Sequence, residues 1–536
     1  MRRRWWSLGI VLGLGASVLP NVAPIVSSVS ADDASRQIPG VGTIVWGPCV
    51  DDTLIAFGAE CGMLSVPLDY SRPRGEKIQI AVSRVVHTVP DDQYQGIMLV
   101  NPGGPGGSGL IYSILGAFVP GDVGASYDWI GFDPRGVGSS IPALSCDPNY
   151  TAGPRPPFDP ATWQIERDWL KKAAGYAKAC GQAGGRLLAH VKTTDNVGDM
   201  DAIRQALGET QLNYYGFSYG TYLGQVYATQ HPNRVRRMVL DSNVDPRRIW
   251  YPANLDQDYA FEAVAQIFFD WIARHDDTYA LGTTAADVEA KYYAALASLA
   301  AAPQGVLGAS EWADAFVGAG YAQFLWPDIA SAFAAFVNGG DPAPAIDLYL
   351  GQDTPGADNG YAMYVATECT DAKWPRDWRT WHRDNTAVAA DAPFLTWGNA
   401  WFNAPCAFWP AKSGTPVKVN GKWAPPILLL GETLDAATPF TGSLEVRKRF
   451  PSSSLVATPG GTTHANSLFG GVSCVDDAVA AYLADGTLPT RVAGAGPDLE
   501  CTAAPEPEPT APATVAARTT SLVTPALLQR LHPLGI

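Results

Sequence analysis

The chain has 536 residues, of which 47% are hydrophobic and 17% are charged. This balance is typical of a globular protein with more than one structural unit, not of a disordered chain. Its formal net charge of −15 argues against a nucleic-acid partner, because phosphate binding needs a basic surface.

The first 31 residues have the order of a secretory signal. Three arginines at positions 2–4 precede an apolar run from Leu8 to Leu19, and small residues follow up to Ala31. The run is short for a membrane span. We therefore predict a signal peptide at 1–31, cleaved after Ala31, and no membrane span in the mature chain. The predicted location is extracellular, either free or associated with the cell wall.

The eight cysteines all follow residue 31. An even number of cysteines in an exported chain indicates disulfides, although eight cysteines allow about 105 pairings. A metal site is the alternative, but no C-x-x-C or H-x-x-H spacing occurs, so we expect no metal. The spacing favours pairing neighbours along the chain: Cys49–Cys61, Cys146–Cys180, Cys369–Cys406 and Cys474–Cys501.

The next elements in chain order are short apolar runs that end in glycine-rich or acidic turns. Residues 64–87 predict an opening antiparallel pair of strands. Later runs predict buried parallel strands, at 96–109, 127–140, 212–220, 237–246, 426–439 and 453–465. Helical patterns at 196–209 and 220–232 lie between them. Alternating strands and helices predict an α/β fold, a mostly parallel sheet flanked by helices.

This alternation stops between residues 247 and 425. That stretch is rich in alanine and aromatic residues and has helical periodicity, as at 288–302. We predict an inserted helical cap over the sheet. The predicted division is therefore 32–246 for the first part of the core, 247–425 for the cap, 426–501 for the second part of the core, and 502–536 for a Pro/Ala/Glu-rich tail.

Ser218 lies in the pentapeptide Gly-Phe-Ser-Tyr-Gly, residues 216–220. With 54 glycines in the chain, a chance G-x-S-x-G is common, so the pattern alone decides nothing. Here, however, a predicted strand precedes the serine and a predicted helix follows it, which is the context of a nucleophile elbow. The start of that helix favours a negative charge on the serine oxygen. We predict that Ser218 is a nucleophile.

A serine nucleophile needs a general base, and the base needs an acid that orients it. On such a fold the acid and then the histidine follow the serine along the chain. Among the later histidines, His464 alone follows a late predicted strand, and Asp435 follows the strand before it. We predict Asp435 as the acid and His464 as the base. The alternative acids are Asp241, Asp245 and Glu432.

An oxyanion hole needs two N–H donors aimed at the developing charge. One is expected from Tyr219, the residue after the nucleophile. The other is expected from Gly104 in the loop "NPGGPGGSG", whose glycines do not have the G-x-G-x-x-G spacing of a dinucleotide site. We expect Asp133 and Arg135 in "GFDPRGVGSS" to support the site structurally.

Six motifs occur in a fixed order between residues 46 and 501: "VPLDYSRP", "NPGGPGGSG", "DPRGVGSS", "GFSYGTYLG", "HPNRVRRMVLD" and "LDAATP". Together they resemble the secreted tripeptidyl aminopeptidases of the α/β-hydrolase superfamily, which are relatives of prolyl aminopeptidase. The resemblance implies a cap that recognises the N-terminus of the substrate. It also implies the nucleophile Ser218, acid Asp435, base His464 and oxyanion donors near Gly104 and Tyr219. One departure is the histidine, which lies between Thr463 and Ala465 where these families often have glycines.

The resemblance implies a secreted serine exopeptidase that releases short peptides, such as tripeptides, from free N-termini through an acyl-enzyme. Such an enzyme must bind an α-ammonium group, which a buried carboxylate does by a charge-assisted hydrogen bond. Glu368 and Asp371 in the cap stretch 364–375 are candidates, and solvated acids on a disulfide-tethered loop are the alternative. No cofactor is expected, and the expected partner is a peptide with a free N-terminus. Two other functions remain: a carboxylesterase or lipase with the same triad, and a non-catalytic binding protein.

Overall fold

The computed structural model describes residues 38–352 and 356–510. The predicted signal peptide at 1–31 and the end of the predicted tail lie outside the described residues. Within them, one ten-stranded sheet runs through the molecule. Its strands are β1 Gly47–Pro48, β2 Glu60–Pro67, β3 Lys77–Val85, β4 Ile97–Asn101, β5 Asp128–Phe132, β6 Leu212–Phe217, β7 Val235–Asp241, β8 Leu428–Glu432, β9 Ser454–Thr458 and β10 Leu499–Glu500.

The strand order in the sheet is β1-β2-β3-β5-β4-β6-β7-β8-β9-β10. β1, β2 and β3 pair antiparallel with their neighbours, including the pair β3 and β5. All pairs from β5 and β4 onward are parallel. A mostly parallel sheet with an antiparallel start and a crossover at β4 and β5 is the α/β-hydrolase arrangement. The predicted fold class is therefore confirmed.

Helices surround the sheet and fill the interval between β7 and β8. Their bounds are α1 Asp52–Ala56, α2 Trp163–Gly184, α3 Thr193–Ala206, α4 Tyr219–Gln230, α5 Tyr251–Arg274, α6 Asp276–Tyr279, α7 Ala285–Ala301, α8 Ala309–Tyr321, α9 Trp326–Gly339, α10 Ala343–Gln352, α11 Asn359–Asp371, α12 Trp378–Ala389, α13 Thr396–Asn403, α14 Thr441–Arg449 and α15 Ser473–Asp485. Within the described residues, no helix has the length and apolar character needed to cross a membrane.

The central strands are apolar on both faces because helices cover both. Successive side chains point to opposite faces of a strand. Leu99 and Leu240 accordingly pack into one hydrophobic cluster together with residues of α3 and α4. Their neighbours Met98 and Val239 pack into another, together with residues of α15. This double burial explains why the strands appear in the sequence as continuous apolar runs.

Helices α5 to α13 form the cap. Helices α5 to α10 share a hydrophobic cluster that includes Phe268, Trp271, Trp312 and Phe333, whereas the buried residues of α11 pack into the cluster beside the sheet. Residues between β5 and β6 also belong to this layer. The ring of Trp169 in α2 stacks on Trp401 in α13, with centroids 5.7 Å apart. Arg155 forms an ion pair with Glu311 in α8, with a nitrogen–oxygen distance of 2.6 Å. The cap therefore rests on a segment that precedes Ser218 in the chain.

The first part of the tail, residues 502–510, lies along the cap helices. Arg274 in α5 forms a two-pronged ion pair with Glu506, with distances of 2.8 and 2.9 Å. The indole nitrogen of Trp271 donates to Pro507 O at 3.1 Å, and the Ser331 hydroxyl donates to Thr510 O at 3.0 Å. These residues have no regular secondary structure, but they are packed against the cap.

Four disulfides join the eight cysteines, and each pairs neighbours along the chain as the spacing favours. Cys146–Cys180 ties the start of the segment before β6 to α2, and Cys474–Cys501 ties α15 to the end of the sheet. The other two are Cys49–Cys61 and Cys369–Cys406. Bridges of this kind stabilise the fold mainly by restricting the unfolded chain.

Candidate active site

Ser218 occupies a sharp turn between β6 and α4. Its backbone has φ 54° and ψ −126°, a region that residues other than glycine rarely adopt. Two hydrogen bonds hold it there: Ser218 N donates to Asp241 O at 3.0 Å, and Thr221 N donates to Ser218 O at 2.8 Å. A Cβ at Gly216 would lie 2.6 Å from Gly220 O, so glycine is required for the turn to be this tight.

The imidazole of His464 contacts the carboxylate of Asp435. Nδ1 of the ring lies 2.9 Å from Oδ2 and 3.0 Å from Oδ1, and both side chains are buried. The carboxylate also accepts hydrogen bonds from Ala437 N and Thr438 N, each at 2.9 Å. Burial raises the pKa of Asp435, but its contacts with His464 and Thr438 outweigh burial and hold the pKa below its usual value. Asp435 is therefore suited to stabilise a positive imidazole.

The other ring nitrogen of His464 is unoccupied. Within residues 38–352 and 356–510, its Nε2 is buried and has no hydrogen-bond partner. The carboxylate at Nδ1 favours the tautomer with its proton on Nδ1, which leaves the lone pair of Nε2 available as a base. The aromatic ring of Tyr321, from the end of α8, packs edge-on against the imidazole with centroids 5.7 Å apart.

The alternative acids have other partners. Asp241 accepts hydrogen bonds from the backbone and hydroxyl of Ser467 at 3.0 and 2.5 Å. Asp245 pairs with the exposed Arg247 at 2.6 Å. Glu432 is bonded to the loop around His464 but makes no hydrogen bond to the imidazole, and burial raises the pKa of Glu432 to about 8. In the described part of the chain, Asp435 alone of the four contacts the histidine ring.

Gly104 and Tyr219 lie beside Ser218 at the wall of one cavity. The N–H of Tyr219 is the first of α4 and lacks an intrahelical acceptor, as helix starts do. The neighbouring Gly103 brings its loop against the elbow, since a Cβ there would lie 2.8 Å from Ser218 Cβ. The side-chain hydroxyl of Tyr219 points elsewhere and lies 2.8 Å from the hydroxyl of Thr193. The two residues expected to supply the oxyanion donors therefore line the same cavity as Ser218.

Asp133 and Arg135 lie behind this loop. Asp133 accepts hydrogen bonds from the Ser108 hydroxyl at 2.6 Å and from Gly109 N at 3.0 Å, so it holds the end of the glycine-rich loop. Arg135 makes a buried two-pronged ion pair with Asp199 in α3, with distances of 2.7 and 2.6 Å. Both contacts are structural, as the sequence predicts.

The cavity has a volume of ≈ 630 Å³ and is bounded by the core on one side and the cap on the other. Glu368 in α11 lines its cap side and is only 4% exposed. Its Oε2 has no hydrogen-bond partner in the described residues. Burial raises the pKa of Glu368 well above its usual value, and contact with Tyr364 only partly opposes this. A buried carboxyl without a cation is costly, so it fits a cationic ligand.

Asp371, the second acid expected at this site, is placed differently. It does not line the cavity. Its carboxylate accepts hydrogen bonds from the backbone and hydroxyl of Thr193 at 2.7 and 2.5 Å, at the start of α3, and from the Trp250 indole at 3.4 Å. The two acids of one helix are therefore separated, with Glu368 at the cavity and Asp371 in the wall behind it.

The cap also contributes polar residues that sequence reasoning did not identify. Asn254 in α5 and Asn399 in α13 line the cavity. Asn399 donates to Asp258 Oδ1 at 2.9 Å, and burial raises the pKa of Asp258 to about 7. Asp258 Oδ2 and Asn254 Nδ2 have no partner in the described residues. In the sequence these residues are ordinary polar positions on helices, and only packing of the cap brings them together.

The geometry defines a class of protein, an α/β-hydrolase with a serine, histidine and aspartate at the carboxyl ends of its strands. Comparison with known proteins gives the family. A family model described as TAP-like protein matches residues 392–517. Tripeptidyl aminopeptidase from Streptomyces lividans is 42% identical over 479 residues, which cover 87% of this chain and 88% of the relative. The chain belongs to the tripeptidyl aminopeptidase-like family of α/β-hydrolases.

Two relatives from Mycobacterium tuberculosis strain H37Rv are more distant. Serine protease Hip1 is 33% identical over 474 residues, covering 83% of this chain and 89% of the relative. Carboxylesterase B is 33% identical over 512 residues, covering 90% of this chain and 96% of the relative. Relatives with both peptidase and esterase names are therefore similar to this chain along most of its length.

Proposed function

We propose that the protein is a secreted serine aminopeptidase that removes short peptides from free N-termini. The observation that carries the proposal is Glu368, a buried carboxyl with an unpartnered oxygen in the cavity of Ser218. A carboxylate in a site of low polarity binds an ammonium group strongly. The names of the similar tripeptidyl aminopeptidases support the release of tripeptides.

In this proposal the triad works through Ser218, His464 and Asp435. Nε2 of His464 takes the proton of the Ser218 hydroxyl as the oxygen attacks the scissile carbonyl carbon. Asp435 stabilises the imidazolium that forms. His464 then gives the proton to the leaving amine, and an acyl-enzyme remains. Water, activated by the same nitrogen, releases the acyl peptide and restores the serine.

Backbone groups stabilise the tetrahedral intermediate. The N–H of Tyr219 and the glycine-rich loop at Gly104 hold the oxyanion of this intermediate. The macrodipole of α4 begins at Tyr219 and favours the same negative charge. Removing a single donor of this kind costs about 10²- to 10³-fold in kcat in well-studied hydrolases.

The cap determines which acyl group reaches the serine. The cavity is bounded by cap residues, so a long chain cannot extend past the ammonium site on that side. The distance from Ser218 to the carboxyl of Glu368 therefore limits how many residues are released. In this view the cap converts a general serine hydrolase into an exopeptidase.

A carboxylesterase is the second candidate, supported by the relative of that name. The triad serves an ester as well as an amide, since both react through an acyl-enzyme. The cavity favours the peptidase, because a neutral ester has no group that would compensate the buried carboxyl of Glu368.

The test compares a chromogenic tripeptide amide, its N-acetylated form and a short acyl ester. The proposal predicts rapid cleavage of the free peptide and at least a ~100-fold lower kcat/KM after acetylation, the loss expected for a buried charge pair. Equal rates for the two peptides, or turnover of the ester alone, would contradict it. Ser218→Ala must abolish all turnover while the protein still folds. The control is Ser113→Ala, because Ser113 is another buried serine.

We also propose that the mature protein is extracellular. Four disulfides are consistent with an extracellular protein, because such bonds persist in oxidising compartments. We propose export by the signal peptide at 1–31, with the mature enzyme acting on peptides outside the cell. N-terminal sequencing of secreted protein is expected to begin after Ala31, and a retained N-terminus would contradict the proposal.

A further inference from the structure

His464 stands on a loop between β9 and α15 that has no regular secondary structure. Two of its residues, Ala465 and Leu468, have positive φ angles of 53° and 67°. Such a loop cannot fix a side chain through a ladder of its own hydrogen bonds. The position of the imidazole must therefore come from groups outside the loop.

Glu432 binds this loop on both sides of the histidine. Its Oε2 accepts a hydrogen bond from Thr463 N at 2.5 Å, and its Oε1 accepts one from the side-chain amide of Asn466 at 2.5 Å. The carboxyl is only 4% exposed. A Cβ at Gly461 would lie 2.6 Å from the carboxyl group, so glycine lets the loop approach this closely.

Glu432 and Asp435 come from one turn at the end of β8. Asp435 N donates to Glu432 O at 3.3 Å, which closes that turn. The carboxylate that contacts the imidazole and the carboxylate that holds its loop are therefore fixed relative to each other. This arrangement sets both the position of the ring and the direction of its Nε2.

Other acceptors complete the support of the loop. His464 N donates to Tyr321 O of the cap at 2.7 Å. Ala465 N donates to the Ser242 hydroxyl at 2.7 Å, and Asp241 accepts from Ser467. Glu432 differs from these groups because it alone binds the loop both before and after the histidine.

We infer that Glu432 is a positioning residue for the proposed catalytic base, His464. The inference rests on the proposed triad but not on the nature of the acyl group. A displacement of about 1 Å in a reacting group lowers a rate by about 10²-fold. Loss of Glu432 is therefore expected to reduce kcat, because the geometry of proton transfer deteriorates. KM is expected to change little, because Glu432 does not line the cavity.

The experiment compares Glu432→Ala, Glu432→Gln and the control Asp498→Asn. Asp498 is also a carboxylate with a fully buried side chain that accepts backbone N–H groups, from Leu455 and Val492, but it lies outside the site. The measurements are kcat and KM with a free tripeptide amide, the rate of Ser218 labelling by a small fluorophosphonate, and the thermal midpoint.

Glu432→Ala is expected to lower kcat and the labelling rate at least ~30-fold, with KM within ~3-fold. Glu432→Gln is expected to retain kcat within ~5-fold, because Asn466 can rotate its amide and keep both contacts. Asp498→Asn is expected to lower the thermal midpoint and leave kcat within ~3-fold. Equal kcat for wild type and Glu432→Ala, or equal loss of kcat in Glu432→Ala and Asp498→Asn, would overturn the inference.

Two further variants keep the test decisive. If Glu432→Ala does not fold, Asn466→Ala removes one of the two contacts of Glu432 and is expected to lower kcat ~3- to 10-fold at unchanged KM. An unchanged kcat would overturn the inference.

His464→Ala tests the triad separately. If His464→Ala retains normal labelling, the proposed triad fails. If it abolishes labelling while Glu432→Ala does not reduce it, only the role of Glu432 fails.

Discussion

The core and cap sides of the cavity differ in the kind of buried polar group that lacks a partner. Behind the core wall, Asp435 is bonded to His464 and to the backbone of its own turn, and His464 Nε2 is buried without a partner in the described residues. On the cap wall, Glu368 Oε2 and Asn254 Nδ2 are buried without partners in the described residues. Buried polar groups without partners cost free energy, so each needs an explanation. In the proposed function, the lone pair of His464 Nε2 serves the reaction and the free oxygen of Glu368 serves recognition.

The largest expected effect tests the core wall. Asp435→Asn is expected to lower kcat by about 10³- to 10⁴-fold, because the amide no longer selects the right tautomer or stabilises the imidazolium. Asp241→Asn is the matched control, since Asp241 is buried in the same region but bonds to Ser467. The loss of kcat in Asp241→Asn is expected to be at least ~10-fold smaller than the loss in Asp435→Asn. Steady-state kinetics measures kcat for both variants. A larger loss of kcat in Asp241→Asn than in Asp435→Asn would reverse the assignment of the acid.

The next expected effect concerns Glu368 on the cap side, and it appears in the pH dependence of kcat/KM. Burial raises the pKa of Glu368, so the free enzyme protonates this carboxyl as pH falls through that raised value. A protonated carboxyl cannot pair with an ammonium group. The value of kcat/KM for a free peptide is therefore expected to fall more steeply on the acid side than the value for a neutral ester, because only the peptide needs the ionised carboxylate of Glu368. Identical acid limbs for the two substrates would contradict the prediction.

The smallest expected effect concerns how the tail supports the cap. A chain ending after Cys501 loses the contacts of Glu506, Pro507 and Thr510 with the cap. Exposed ion pairs contribute below about 1 kcal/mol and hydrogen bonds about 1 kcal/mol each, so the expected loss of stability is about 2 kcal/mol. The control is a chain ending after Thr510, and denaturant unfolding measures both. Equal stabilities would show that these contacts contribute nothing.

The core could largely be predicted from the sequence. Buried parallel strands appear as continuous apolar runs, and residues at their carboxyl ends share one edge of the sheet. This brings Ser218, Asp435 and His464 into one region, even though Asp435 comes 217 positions after Ser218 and His464 comes 29 positions after Asp435. The strand–turn–helix context of Ser218 is local, so pattern and structure agree there.

The cap could be predicted only as a helical region. Its polar residues point inward because of how helices from distant parts of the chain pack, and no local pattern encodes this. Glu368 and Asp371 stand three residues apart on one helix, yet one faces the cavity and the other holds α3. The role of Asn254, and the packing of α2 against α13, likewise depend on contacts across long separations.

The central claim is that a cap carboxylate recognises the free N-terminus of a peptide. The most direct measurement is the ratio of kcat/KM for a free tripeptide amide to that for its N-acetylated form, in wild type, Glu368→Gln and the control Asp371→Asn. The account predicts a ratio of about 100 or more in wild type and in Asp371→Asn, and a ratio below about 10 in Glu368→Gln. An unchanged ratio in Glu368→Gln would contradict it.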